Sequence, residues 1–260
     1  MRVALTIAGS DSGGGAGIQG DLKTFARFGV FGTSVVTAVT AQNTRGIAAW
    51  EPVSPALVRG QLDAVLEDLS PHVVKTGMLG TAEIVRAVVA GIRERPVHPL
   101  VVDPVMLSTS GHRLLDETAE VLVREALIPL ATLVTPNLDE AAVLVGTEIR
   151  DEGEMRRAAR YIVRELGTSA ALVTGGHGST DEIVDLLLCR NGEWRAFRHA
   201  RLHSRNTHGT GCALSAAIAA QLALGQPLME SVEVALEYVH RAIATAPELG
   251  SGYGPLNHGA

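Results

Sequence analysis

The chain reads as an α/β protein built on a mostly parallel sheet with helices on both faces, and three observations carry that reading. Short Val-, Ile- and Leu-rich runs recur along the 260 residues, each followed by turn residues. Between them stand segments with apolar residues at three- and four-residue spacing, the period of an amphipathic helix. A hydrophobic share of 46% suffices to bury a full core, so residues 1–260 are expected to form a single domain.

Taken in order, strands are predicted at residues 3–8, 34–40, 72–75, 99–102, 132–135 and 170–174. The stretches SPALVRGQLDAVLEDL, TAEIVRAVVAGIRE and EMRRAARYIVREL supply amphipathic helices. Runs 182–189 and 193–198, split by Asn191-Gly192, have the form of an antiparallel hairpin on the sheet edge. Two more helices are expected to start near Thr210 and Leu228, with an irregular tail GSGYGPLNHGA. In open α/β sheets ligands gather outside the carboxyl ends of the strands, so the residues just after each strand are the functional candidates.

Twenty-two basic against twenty-eight acidic residues leave a formal charge of −6 without long like-charge blocks, which argues against nucleic-acid or anionic-membrane partners. CALSAAIAAQLALG is too short and too rich in small residues to span a bilayer, and no secretory leader is expected ahead of the strand at Val3. Cys189 and Cys212 cannot make a disulfide framework, so a reduced, cytoplasmic protein is expected.

The glycine-rich stretch IAGSDSGGGAGIQGDLK, residues 7–23, invites a phosphate-loop reading. A Walker A loop fails there, because the frame Gly9 to Gly14 continues with Gly15 and Ala16 where Lys and Ser/Thr are needed. A dinucleotide fingerprint matches Gly15 to Gly20, but it begins late after the strand, and the next strand ends in TAQN with no acid for a ribose. A tight turn without a ligand is the plainer alternative.

Stronger chemistry lies in NTHGTGCALSAAIAAQLALG, where Gly209, Thr210, Gly211 and Cys212 run straight into a helical pattern. Their N–H groups would converge at the positive end of the helix and bind an anion. The same field is expected to lower the Cys212 thiol pKa and make it a proton acceptor; a small core cysteine after a glycine turn is the alternative. Asp103 closes PLVVDPV, and Asn137 and Glu140 in LVTPNLDEAA follow another strand. Asn137-x-x-Glu140 also has capping-box spacing, the reading that spacing alone favours. An anion hole with two acids at neighbouring strand ends is what phosphoryl transfer needs, the carboxylates organising Mg²⁺ through water.

Seven blocks now stand in register: IAGSDSGGGAGIQGDLKTF, TAQNTRG, KTGMLG, VVDPVM, TPNLDEA, TGGH and NTHGTGC. In order and spacing they resemble the hydroxymethylpyrimidine and phosphomethylpyrimidine kinases of thiamine biosynthesis, in the ribokinase-like superfamily. The resemblance covers almost the whole chain. It implies a three-layer α/β/α sandwich, ATP as cosubstrate with Mg²⁺, a homodimer, and phosphorylation of a pyrimidine hydroxymethyl group and then of its monophosphate. It implies that Gly209, Thr210 and Gly211 form the anion hole, with Cys212 where sugar kinases of the superfamily have an aspartate base. Gln42 would hydrogen-bond the aminopyrimidine, Gly9, Ala16, Met78 and Val105 would line the pocket, and Asp103 and Glu140 would face metal and phosphate. Each also has a plainer reading, such as Gln42 capping a turn or Met78 in the core.

Two positions depart from the family pattern. Thr174 replaces the common Lys of KGGH, and STSGH, with Thr109 and His112, replaces AKSGD. The cation expected on the nucleotide phosphates is therefore displaced, leaving Asn137 and Thr174 on that side and Arg205, Arg113 or Lys75 as candidate charges. The segment MLSTSGHRLL after Val105 is a candidate flap. A pyridoxal kinase is the nearest alternative enzyme, and a non-catalytic vitamin-binding protein on the same fold is the alternative of another class. His199, His203 and His208 lack the further ligands of a zinc site, and no G-x-S-x-G elbow suggests a hydrolase.

Overall fold

The computed structural model describes residues 1–106, 114–176 and 181–260. Nine strands form one sheet in the order β3-β2-β1-β4-β5-β6-β7-β8-β9. The chain enters with β1 (Val3–Ser10), α1 (Gly17–Arg27), β2 (Phe31–Asn43), β3 (Gly46–Pro52), α2 (Pro55–Asp68) and β4 (Val73–Thr76). It continues through α3 (Ala82–Glu94), β5 (Leu100–Val102), α4 (Glu117–Leu122), β6 (Leu133–Val134), α5 (Leu138–Val145) and α6 (Glu152–Arg164). β7 (Ala170–Val173), β8 (Glu182–Cys189), β9 (Trp194–Ala200), α7 (Thr210–Ala223) and α8 (Leu228–Ala244) complete it. From β2 through β1 to β7 the strands are parallel, and antiparallel strands close both edges, β3 on one side and the β8–β9 hairpin on the other.

The two-residue alternation of a strand explains the layers. Leu5 and Ile7 of β1 pack with Val58, Leu62, Ile84, Val88, Leu144 and Ile162 on one face. Ala4 packs with Phe25, Ile218, Val232 and Tyr238 on the other. Both faces of the central strands are covered, which is why they read as largely apolar runs and why Thr6 and Lys75 within them are buried. The helix starts are local in origin: Ser54 caps α2 with Pro55 behind it, Thr81 caps α3, and Asp151 caps α6. α7 is different, with Ala213 to Ala220 all buried and no amphipathic face, because it lies between the sheet and α8.

The predicted strands are all present, within a few residues of their expected ends, and so are the edge hairpin and the helices starting at Thr210 and Leu228. One strand was not predicted. β3 pairs antiparallel with an extended β2, and its residues GIAAWEP are exposed or half exposed, so it carries no hydrophobic period to read. The register slips between Ala41 and Gln42, a bulge that re-aims a side chain at the strand end. No helix among the described residues is long and apolar enough to cross a membrane.

Candidate active site

The glycine-rich loop after β1 is a nest already filled by its own side chain. Asp11, almost wholly buried, accepts from Gly13 N at 2.7 Å, Gly15 N at 3.0 Å and Ala16 N at 2.9 Å. Burial opposes its charge, but the His208 contact and the N–H donors of Ala16 and Gly13 outweigh that and hold the carboxyl below its usual range. Gly17 follows at φ 57°, where a Cβ would lie 2.4 Å from Gly9 O. Gly9 in turn faces Met78, whose sulfur would be 3.2 Å from an added Cβ, so these two residues share one wall.

The N-terminus of α7 is built alike and left open. Gly209 caps it at φ 88° with no side-chain cap, and a Cβ there would lie 2.0 Å from Gly15 O. Thr210 N turns back to Thr207 O at 3.2 Å; Gly211 N and Cys212 N have no protein acceptor among the described residues. No acid stands in the first turn of the helix. Two free N–H groups on a helix end with its positive dipole are suited to an anion.

The Cys212 thiol corrects the expectation of a lowered pKa. Burial pushes it up to about 12, with Asp103 and Asp21 adding to the rise and Lys75 and the Gly17 N–H opposing it. Desolvation exceeds the helix field here, so the resting group is a neutral thiol.

Lys75 needs a second correction. It is wholly buried on β4, with Nζ 3.0 and 2.9 Å from the two oxygens of Asp21 and 3.9 Å from Asp103 Oδ2. Although burial opposes its charge, Asp21 foremost, then Cys212 and Asp103, keep its pKa above the ordinary value. That ammonium is committed to carboxylates and does not stand free to grip a nucleotide phosphate. Arg205, exposed on the segment leading to Gly209, makes no ion pair among the described residues. Thr109, His112, Arg113 and most of the candidate flap lie outside the described residues.

Beyond Lys75 lies the acidic side. Asp103 follows β5, buried, with Ser215 Oγ of α7 at 3.0 Å from Oδ2. Burial raises its pKa against Lys75 and Ser215. Glu140 completes a capping box with Asn137, donors and acceptors meeting at 2.9 and 3.0 Å, so the plainer reading of that motif holds. The cap does not exhaust Glu140: burial, then the Asp103 charge, push its carboxyl up to about 8 despite N–H bonds from Asn137 and Met106. Thr76 Oγ1 and Thr135 Oγ1, at the ends of the strands flanking β5, are buried with no hydrogen-bond partner among the described residues. Two acids that cannot both ionise cheaply, beside unpartnered hydroxyls, suit a hydrated divalent cation. Asn137 and Thr174 meet across β6 and β7, Thr174 N donating to Pro136 O at 2.9 Å. Val105 sits on the turn after Asp103, its N–H 2.9 Å from Asp103 O.

Gln42 lies at the β2 bulge, its backbone N–H and C=O both 2.7 Å from Ser12 Oγ. Its side chain reaches His208, whose Nε2 is 2.8 Å from Asp11 Oδ2. His208 thus ties the glycine-rich loop to the turn before α7, a role sequence reasoning missed along with those of Asp11, Asp21 and Ser215. The aspartates stood inside the glycine block, but nothing local reveals partners 197 and 54 residues away. His199 is elsewhere, edge-on to His240.

A three-layer α/β fold with an open helix N-terminus near the buried Asp103 at a strand end defines a phosphotransferase of the ribokinase-like class. A sequence model described as phosphomethylpyrimidine kinase matches residues 11–257, and the chain belongs to that family. A hydroxymethylpyrimidine/phosphomethylpyrimidine kinase of Rhizobium meliloti is 52% identical over 98% of this chain and 96% of its own length. Among solved structures, the phosphomethylpyrimidine kinase of Clostridium difficile 630 superposes with TM-score 0.84 at 41% identity, covering 94% of this chain and 100% of that one. An ADP complex of Bacillus subtilis pyridoxal kinase superposes with TM-score 0.92 at 35% identity, covering 100% and 98%.

Proposed function

We propose that this chain is a cytoplasmic, ATP- and Mg²⁺-dependent kinase that phosphorylates 4-amino-5-hydroxymethyl-2-methylpyrimidine and then its monophosphate. The observation that carries the reading is the pair of free N–H groups at the start of α7, the helix whose Cys212 feels the Asp103 charge and whose Ser215 bonds Asp103, itself beside Glu140. In this reading the pyrimidine lies against Gly9, Ala16, Met78 and Val105 with Gln42 on its polar edge, and its hydroxymethyl group points to Cys212. The N–H groups of Gly211 and Cys212 stabilise charge on the transferring phosphoryl group. Cys212 first gives its own proton to solvent, a loss that burial opposes and that Lys75 and the Gly17 N–H favour, and the thiolate then takes the hydroxyl proton late, as the oxygen bonds to phosphorus and becomes acidic. Asp103 and Glu140 would hold Mg²⁺ through water, and the ion when bound would neutralise phosphate charge. Asn137 and Thr174 face the nucleotide, a hydroxyl standing where the family has a lysine. Two unbridged cysteines agree with a reducing compartment. A homodimer belongs to the same reading, and light scattering measures it.

Pyridoxal phosphorylation is a second reading, favoured by the superposition on the Bacillus subtilis enzyme. Phosphorus NMR of a mixture with ATP and Mg²⁺ tests the first. Successive appearance of pyrimidine monophosphate and diphosphate, abolished by a chelator, is the expected result; no phosphorylated pyrimidine overturns it.

A further inference from the structure

The hydrogen-bond arithmetic around Gln42 assigns its amide a single orientation. Asp11 is an ionised carboxylate and can only accept, so the His208 Nε2 at 2.8 Å from Oδ2 carries a proton and donates. Thr40 Oγ1 lies 2.9 Å from Ser10 O and gives that carbonyl its one hydrogen, leaving only lone pairs for Gln42. One end of the Gln42 amide is 3.3 Å from His208 Nε2 and the other 3.2 Å from Thr40 Oγ1. Nitrogen toward His208 would set donor against donor and oxygen against a hydroxyl already used. Turned by half a rotation, the amide oxygen takes a longer share of the His208 N–H that Asp11 also accepts and the amide nitrogen donates to Thr40, so no donor faces a donor. The bulge and the Ser12 clamp fix the backbone beneath it.

We propose that His208, held by Asp11, together with Thr40 locks Gln42 so that its free edge accepts from an exocyclic amine and donates to the neighbouring ring nitrogen. That edge matches a 4-aminopyrimidine and opposes a 4-oxopyrimidine, whose ring N–H and carbonyl present the reverse pattern. A freely rotating glutamine would take either. Asp11 and His208 are therefore positioning residues for specificity, on the pyrimidine reading of the pocket given above. His208 is also the residue before Gly209, so the device that selects the acceptor stands directly on the phosphate-binding turn.

The test is the ratio of kcat/KM for the 4-amino substrate to that for its 4-oxo counterpart, because effects of a variant on the anion hole cancel within it. His208→Leu is expected to lower the ratio about tenfold, the scale of one hydrogen bond turned from attraction to loss. His208→Gln, whose amide can donate to both Asp11 and Gln42, should restore most of it. Thr40→Val should lower the ratio and Thr40→Ser preserve it, which settles the matter if His208→Leu does not fold. A ratio unchanged in both His208→Leu and Thr40→Val overturns the lock. Gln42→Ala separates the underlying reading: if it leaves the 4-amino KM unchanged, the pocket assignment fails and the lock with it. If it raises that KM while the two ratios stay fixed, the lock alone fails.

Discussion

Two glycine turns precede helices at the same end of the sheet, and they meet different fates. The loop before α1 folds three N–H groups onto Asp11, while the turn before α7 leaves Gly211 and Cys212 with free N–H groups and no acid in the first turn. Glycine content is greater in the first, yet the second is the one we propose as the anion site. A helix N-terminus binds a foreign phosphate only where the chain does not supply its own carboxylate. The filled nest instead shapes a wall and anchors His208.

The largest effect should come from the open turn. Cys212→Ala is expected to lower turnover by roughly two to four decades, the range of general acid–base contributions, in a steady-state ADP assay. Wild-type turnover in that variant would remove the thiol from the mechanism. Next in size is the contact between the two turns. Gly209→Ala forces a side chain onto φ 88° and 2.0 Å from Gly15 O. Strain and clash together should cost about 3 kcal/mol in denaturant unfolding.

Emptying the filled nest is the complementary change. Asp11→Ala strands the Gly13, Gly15 and Ala16 donors and should cost roughly 2–3 kcal/mol at neutral pH. The Asp11 pKa is lowered on folding, so its contribution is present above the unfolded value near 3.8 and is lost as pH falls through the folded one. Stability curves of wild type and variant should therefore converge in acid.

Asp185 sharpens the comparison at the smallest scale. It is buried like Asp11 but among the described residues accepts one backbone N–H, from Gly175 at 2.9 Å, with His199 Nε2 3.7 Å away, and burial raises its pKa to about 6. Its folded value exceeds the unfolded 3.8, so stability should fall as pH rises through that interval. Asp185→Asn keeps the acceptor and sheds the charge, and should stabilise the protein by about 1–2 kcal/mol at pH 7, the gain vanishing below about pH 4. A destabilised variant at pH 7 would mean that the ionised carboxylate is wanted there.

The parallel core was legible because doubly covered strands carry largely apolar runs, as in Leu100 to Val102. β3 was not, because an exposed edge strand has no period to read. The glycine turn before α7 and the capping box were visible because each is a local arrangement of adjacent residues. Charge states were not local. The Cys212 pKa was misjudged because the helix field is a sequence property, whereas burial and the charges of Asp103 and Asp21 come from tertiary packing. Lys75 was misassigned because its partner Asp21 sits 54 residues earlier, on another element.

At the centre stands an open turn that serves a kinase whose acceptor is a 4-aminopyrimidine alcohol. Initial rates of ADP release with the hydroxymethylpyrimidine, its monophosphate and pyridoxal, measured in parallel at subsaturating concentration, test that assignment most directly. The highest kcat/KM is predicted for the two pyrimidines, with pyridoxal lower and all three rates lost in Cys212→Ala. Pyridoxal as the better substrate, or ADP release that Cys212→Ala leaves intact, would contradict it.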